Sequence, residues 1–267
     1  MTESAKARAR SIILTGASSG IGRALAGRLA APGVSMLLIG RDSTRLGPVA
    51  EAAAAAGATA ETAAVDVADR NAMQARLEAF DARFPVDLVI ANAGISAGLE
   101  DGAMPEAAGV SDRVAAVNYL GMLHTVEPLL PRMIARRRGQ VALMSSLAAL
   151  RPHPDMPSYS ATKAAVRAYG IALRGSMRPH GLEVSVICPG FVTSPMSARH
   201  LGFKPFEIPA ERAADKIAAG LAARRALIAF PWPLVLLSWL GNRLPPALSD
   251  RFLEGFRARI APDERGG

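Results

Sequence analysis

The feature that most constrains this chain is an alternation. Short runs rich in Val, Ile and Leu recur between longer Ala/Leu/Arg stretches of helical character. That pattern is the mark of repeated βα units around a parallel sheet. Strands are predicted at Ser11 to Thr15, Ser35 to Ile39, Glu61 to Val65, Asp87 to Ala91, Gln140 to Ser145, Glu183 to Cys188 and Ala226 to Ala229. Helices are predicted at Gly20 to Ala31, Ser43 to Ala56, Arg70 to Arg83, a long one from about Asp112 to Arg137, Ser158 to Arg178, and Ala210 to Ala223. No repeat period and no linker composition interrupts the series. The expectation is one α/β domain, doubly wound, with a seven-stranded parallel sheet and helices on both faces.

Two segments leave this rhythm. Phe191 to Ile208 has no regular period and contains Pro195, Gly202 and Pro205, so residues 191–208 form a plain connection or a loop over a substrate. Beyond residue 230 the chain is apolar and broken by proline, and residues 231–267 are expected to pack on domain 1–230 as an extension.

Composition narrows the function classes. Half the residues are hydrophobic and a fifth charged, which excludes a disordered chain. The 31 cations exceed the 23 acids by +8, but the arginines are scattered among acids. Nucleic-acid binding needs them gathered, and the one dense run, Arg136 to Arg138, falls where a helix should end, so no nucleic acid is expected. The single cysteine, Cys188, allows neither an internal disulfide nor a structural zinc site, and fits a reducing, cytoplasmic setting. His124, His153, His180 and His200 lack metal-ligand spacing, and no metal is expected. Scattered histidines are more often surface or satisfied residues, and lining a substrate pocket is the minority reading for His153, between Ser146 and Tyr159. Ala226 to Asn242 carries no charge over 17 residues and holds both tryptophans, but a spanning helix needs about 20 apolar residues. Residues 231–243 therefore read as a pocket cover or subunit interface, or as a peripheral membrane contact.

Chemistry is carried by small motifs. Thr15-Gly16-Ala17-Ser18-Ser19-Gly20-Ile21-Gly22 follows the first strand and opens the first helix. Glycines there let the backbone approach a pyrophosphate, and the helix N-terminus offers N–H groups and positive dipole. Tyr159 and Lys163 stand four apart at the start of a helix, so phenol and ammonium share one face. Either motif alone is weak.

Together with others in order, they resemble the classical short-chain dehydrogenase/reductase family. The glycine motif, Asn92-Ala93-Gly94 after the fourth strand, Tyr159 with Lys163, Ser146 thirteen residues before Tyr159, Asn118, and Pro189-Gly190-Phe191-Val192-Thr193 all match its pattern. The chain has Ala91 where that family often has a second asparagine. The resemblance implies a Rossmann-type domain acting as an NAD(P)-dependent oxidoreductase on a small carbonyl or alcohol, and a homodimer or homotetramer. It implies a catalytic set of Ser146, Tyr159, Lys163 and Asn118. Cofactor contacts would come from Gly16, Ser18, Ser19, Gly20, Ile21 and Gly22, from Asn92, Ala93 and Gly94, and from Pro189, Gly190, Val192 and Thr193, with Thr193 on the nicotinamide carboxamide. Lys163 would hold the nicotinamide ribose, Ser146 the carbonyl oxygen, and Asn118 a water relay.

Reduction of a carbonyl leaves an alkoxide that needs a proton. A free phenol has a pKa of about 10, and Lys163 with an oxidised nicotinamide should lower that of Tyr159; about three units would take roughly 4 kcal/mol. Ser145 is the competing serine, at the wrong spacing. Cofactor choice turns on Gly40-Arg41-Asp42 at the second strand's tip. Arg41 would pair with the 2′-phosphate and favours NADP(H) over NAD(H), while Asp42 is either a helix N-cap or, one residue out of register, the acid of an NAD enzyme. Asp66 and Val67 match the family's adenine contact, and capping the next helix is an equal reading of Asp66. An apolar tail and loop favour an apolar substrate. The other class open to such a chain is a non-catalytic cofactor-binding sensor or scaffold.

Overall fold

The computed structural model describes residues 9–99, 104–245, 248 and 259–261. Strands and helices alternate from the start: β1 (Ser11–Thr15), α1 (Gly20–Leu29), β2 (Ser35–Gly40), α2 (Ser43–Ala55), β3 (Thr59–Ala64), α3 (Arg70–Arg83) and β4 (Leu88–Ala91). The chain continues through α4 (Val110–Ala115), α5 (Gly121–Val126), α6 (Leu130–Arg136), β5 (Gly139–Met144), α7 (Pro157–Met177) and β6 (Leu182–Pro189). It then adds α8 (Pro195–Ala198), β7 (His200–Leu201), α9 (Ala210–Ala222), β8 (Leu227–Phe230), α10 (Trp232–Gly241) and β9 (Arg259–Ile260).

Seven strands form one parallel sheet in the order β3-β2-β1-β4-β5-β6-β8. Period-two alternation divides its side chains between two cores. Ile12 and Leu14 of β1 meet Leu25, Val49 and Ile217, so α1, α2 and α9 cover one face. Ile13 points the other way, to the core of Leu77, Val126, Met133 and Val166, so α3, α5, α6 and α7 cover the opposite face. The strand order turns back between β1 and β4. That crossover opens a crevice at the strands' C-terminal ends, where ligands of such sheets bind.

Three details depart from the sequence expectation. The helix predicted to run unbroken from Asp112 to Arg137 is divided: a π-helical turn, Ala116–Leu120, separates α4 from α5, and Pro131 stands in the first turn of α6. Proline belongs at a helix start because it has no N–H to donate. The strand predicted from Glu61 starts at Thr59, in register with Ser35; it is an edge strand of little apolar content, so pairing with β2 fixes its ends. Pro231 and Pro233 do not break the apolar tail but open α10.

The Arg136 to Arg138 run is a set of ties. Arg136 binds both oxygens of buried Asp81 at 2.7 and 2.9 Å, Arg137 reaches the Pro179 carbonyl, and Arg138 pairs with Asp87. Burial pushes the Asp81 carboxyl up, but the Arg136 and Val86 hydrogen bonds and Arg132 outweigh it and hold its pKa below the ordinary value. No described helix is long and apolar enough to cross a membrane.

Candidate active site

A cleft of roughly 470 Å³ follows the crevice at the C-terminal strand ends. Its floor is the turn after β1. Gly16 has φ +65°, and a Cβ there would lie 2.9 Å from Ala93 Cα; a Cβ on Gly22 would lie 2.0 Å from the Gly16 carbonyl oxygen. Neither position tolerates a side chain. Asn92 locks the turn, its Nδ2 donating to the carbonyls of Thr15 (2.9 Å) and Gly16 (3.2 Å). Thr15 Oγ1 in return accepts from the N–H groups of Asn92 and Ala93, both at 3.1 Å. The glycine motif and Asn92-Ala93-Gly94 are thus one unit. Ser18, Ser19, Gly20 and Ile21 also face the cleft, and Ser19, the residue before α1, makes no side-chain cap. That leaves the first-turn donors of α1 to bind something else.

At the tip of β2, Arg41 lines the cleft and Arg45, one helical turn on, joins it. Asp42 is turned away as the N-cap of α2, accepting from the N–H groups of Thr44 and Arg45. The Thr44 hydroxyl bond, above all, lowers its pKa. Asp66 and Val67 line the same side, and Asp66 accepts from Ala68 N–H at 2.9 Å. The cap of α3 is Asp69, not Asp66, which leaves the Asp66 carboxylate at the cleft.

Lys163 and Tyr159, on one face of α7, meet Ser146 beyond β5. The Lys163 ammonium donates to the Met144 carbonyl at 2.9 Å and lies 5.7 Å from the Tyr159 ring centroid. Burial pulls the Lys163 pKa down to about 8. The Tyr159 phenol is pushed above its usual value by burial, against a hydrogen bond with Ser146 that lowers it. Desolvation dominates the Tyr159 phenol, and Ser146, not Lys163, is the group that lowers its pKa, so the lowering expected from Lys163 does not arise from the protein's own groups. Ser145 is committed elsewhere: it is buried and donates to the Lys163 carbonyl at 2.8 Å. Ser146 faces the cleft.

Asn118 sits in the π-helical turn, a widening frequent at functional sites. Its Oδ1 accepts from Ile95 N–H (2.8 Å), and its Nδ2 donates to the Ile95 carbonyl (3.0 Å) and to Thr162 Oγ1 (3.1 Å). A Cβ on Gly94 would lie 3.2 Å from both Asn118 Oδ1 and Lys163 Nζ. Asn118 does not itself line the cleft.

Pro189, Gly190 and Val192 line the far side, whereas Thr193 is exposed and its neighbour Ser194 faces in. The loop 191–208 is built over the cleft: it holds α8 and β7, and β7 pairs antiparallel with β9 from the chain's end. His153 and His200 line this side with their rings 6.3 Å apart, and burial lowers the His200 pKa. Within the segment read as a pocket cover or interface, α10 places Leu234 and Leu237 on the cleft wall; Arg45, Arg151 and Ile260 are cleft residues that the sequence did not single out. For α10 the uncharged run was the available signal; for Arg45 it was its place four residues after Arg41. No cluster of metal-ligating side chains occurs among the described residues.

A parallel sheet whose glycine turn opens a helix at the crossover is the dinucleotide-binding class of architecture. Residues 10–201 match the short chain dehydrogenase family, and the chain belongs to it. It is similar to an oxidoreductase of Myxococcus xanthus (strain DK1622), 35% identical over 244 residues, covering 90% of this chain and 95% of the relative. Among solved structures, a short chain dehydrogenase from Mycobacterium paratuberculosis bound to NAD has a TM-score of 0.73 at 25% identity, covering 82% of this chain and 94% of that one. One from Sphingobium yanoikuyae in complex with NADPH has a TM-score of 0.74 at 24% identity, covering 89% and 97%. The protein is an oxidoreductase with a Rossmann-type fold.

Proposed function

We propose that the protein interconverts a carbonyl and its alcohol with NADP(H), Tyr159 serving as general acid and base. The observation that carries this is the convergence of Ser146, Tyr159 and Lys163 at one end of a cleft whose other end is a glycine turn. The cradle suits a dinucleotide: Gly16, Gly20, Gly22 and Gly94 line the cleft, and Ser19 leaves the first-turn donors of α1 without a side-chain cap. When bound, the nicotinamide supplies or accepts the hydride.

The chain's residues do the rest. The Ser146 hydroxyl donates to the substrate oxygen and holds it beside the Tyr159 phenol. That phenol, kept protonated by burial, hands its proton to the oxygen as negative charge develops there. Lys163, cationic below a pH of about 8, is placed to hold ribose hydroxyls and to stabilise the phenolate left behind. Asn118 fixes the Ile95 backbone and thereby the wall beside Lys163. NADP(H) is favoured over NAD(H) because Arg41 and Arg45 both line the β2 end while Asp42 is spent on capping. The test is cofactor consumption over carbonyls graded from short and polar to long and apolar. NADPH should be consumed faster than NADH, and no turnover with any carbonyl contradicts the proposal.

A second reading concerns α10. It is an uncharged helix with Trp232, Leu236, Trp239 and Leu240 exposed, and Arg243 stacks on Trp239 at 3.5 Å. These features support a peripheral lipid contact beside an apolar pocket wall. Co-sedimentation with anionic vesicles should be lost on replacing both tryptophans by alanine; unchanged co-sedimentation rejects the contact.

A further inference from the structure

The oxidoreductase reading gives a task to each cation of the cleft except Arg151. Arg41 and Arg45 stand at the tip of β2 and Lys163 beside Tyr159. Arg151 lies on the opposite half of the sheet, just past the 3-10 turn Leu147–Ala149, where the cleft wall passes to α10.

Three observations set it apart. The side chain is half-buried yet makes no hydrogen bond or ion pair among the described residues. Its position is built: the stem runs beside Gly241, where a Cβ would stand 3.9 Å from Nε, and Asn242 Nδ2 ties the preceding Leu150 carbonyl to the same helix end at 2.5 Å. The described cleft lining contains one carboxylate, Asp66, and that lies beyond β3 on the far side. The α10 side of the cleft, which Arg151 meets at Gly241, carries Leu234, Leu237 and Leu244, with Ser238 among them. A guanidinium partly withdrawn from water among leucines is a receptor for a planar or tetrahedral anion.

We propose that Arg151 is an anion subsite of the substrate chamber. The substrate is an amphiphilic acid: a carbonyl compound whose carboxylate or phosphate pairs with Arg151 while an apolar chain lies along Leu234 and Leu237. This rests on the carbonyl-oxidoreductase reading, and the two separate by experiment.

Binding is measured on the protein loaded with NADP⁺, using decanoate, decyl phosphate and the uncharged decanol as probes. Decanoate and decyl phosphate should bind at least about tenfold tighter than decanol, and Arg151→Met should weaken both by about 10–100-fold while changing decanol by less than about threefold. Arg151→Lys should keep part of the preference, and raising salt to about 0.5 M should weaken only the anions. NADPH affinity should not change in either variant. In turnover, Arg151→Met should raise KM for a long-chain keto acid by about tenfold or more, leaving kcat and the matching methyl ester nearly unaffected.

Equal losses for charged and uncharged probes, or a wild-type protein indifferent to charge, overturn the subsite. Vesicles of phosphatidylglycerol separate the two sources of anion: if Arg151→Met weakens vesicle binding but not that of monomeric decanoate, the anion is a headgroup and the proposal fails. Charge-dependent binding with no turnover of any carbonyl contradicts the oxidoreductase reading and leaves the subsite standing. An unchanged KM for the keto acid in Arg151→Met, with turnover intact, contradicts the subsite alone.

Discussion

Replacing Lys163 by methionine should make the protein more stable and inactive. Lys163 is 4% exposed, and its pKa falls from 10.5 to about 8 because burial penalises the charge. At about 1.4 kcal/mol per tenfold, that difference is about 3 kcal/mol of destabilisation, full below a pH of about 8 and shrinking as pH rises toward 10.5. The sign follows from proton counting: in that window the unfolded chain binds the proton and the folded one does not, so wild-type stability rises with pH. Methionine removes the penalty but also the hydrogen bond to the Met144 carbonyl, worth about 1 kcal/mol. The variant should therefore gain about 2 kcal/mol near pH 7, or about 4–8 °C in Tm for a chain of this size. Near pH 9.5 the remaining penalty is about 1 kcal/mol and the gain should vanish. Urea unfolding at both pH values measures this. A variant less stable than wild type at pH 7, or a gain that does not change with pH, would refute the reasoning.

Other substitutions test neighbouring assignments. Ser145→Ala should cost about 0.5–1.5 kcal/mol in stability, since it removes a buried hydrogen bond to the Lys163 carbonyl, and should leave turnover within about tenfold of wild type. Ser146→Ala should instead lower kcat by about 100-fold; the reverse assignment of effects would show that the wrong serine faces the substrate. Arg41→Ala and Arg45→Ala should each weaken NADPH binding by about 10–100-fold and NADH binding by less than about threefold in fluorescence titrations. Equal losses for the two cofactors would count against NADP(H) preference.

Much of the fold was legible because its signals are local. Val/Ile/Leu runs mark strands buried on both faces, and Gly16 and Gly22 mark a turn where backbones nearly touch. Less legible were features set by distant partners. The split of the 112–137 helix falls at Asn118, whose side chain is bound to the backbone of Ile95, far off in sequence. The Arg136 to Arg138 run was legible only as a helix end, because its partners Asp81 and Asp87 lie far off in sequence. Asp42 and Asp66 each had two readings, and only placement assigned one to a cap and kept the other at the cleft. Likewise, the tail's contribution to the pocket, through Leu234, Leu237 and Ile260, arises from packing that no period in the sequence encodes.

The central claim is that Tyr159 moves the proton. Single-turnover oxidation of NADPH by a reactive ketone, followed in wild type and Tyr159→Phe at equal cofactor saturation, tests it most directly. Loss of that hydroxyl should slow the step by about 10²–10⁴-fold with NADPH affinity unchanged. A phenylalanine variant that reduces the ketone within about tenfold of wild type would contradict the account.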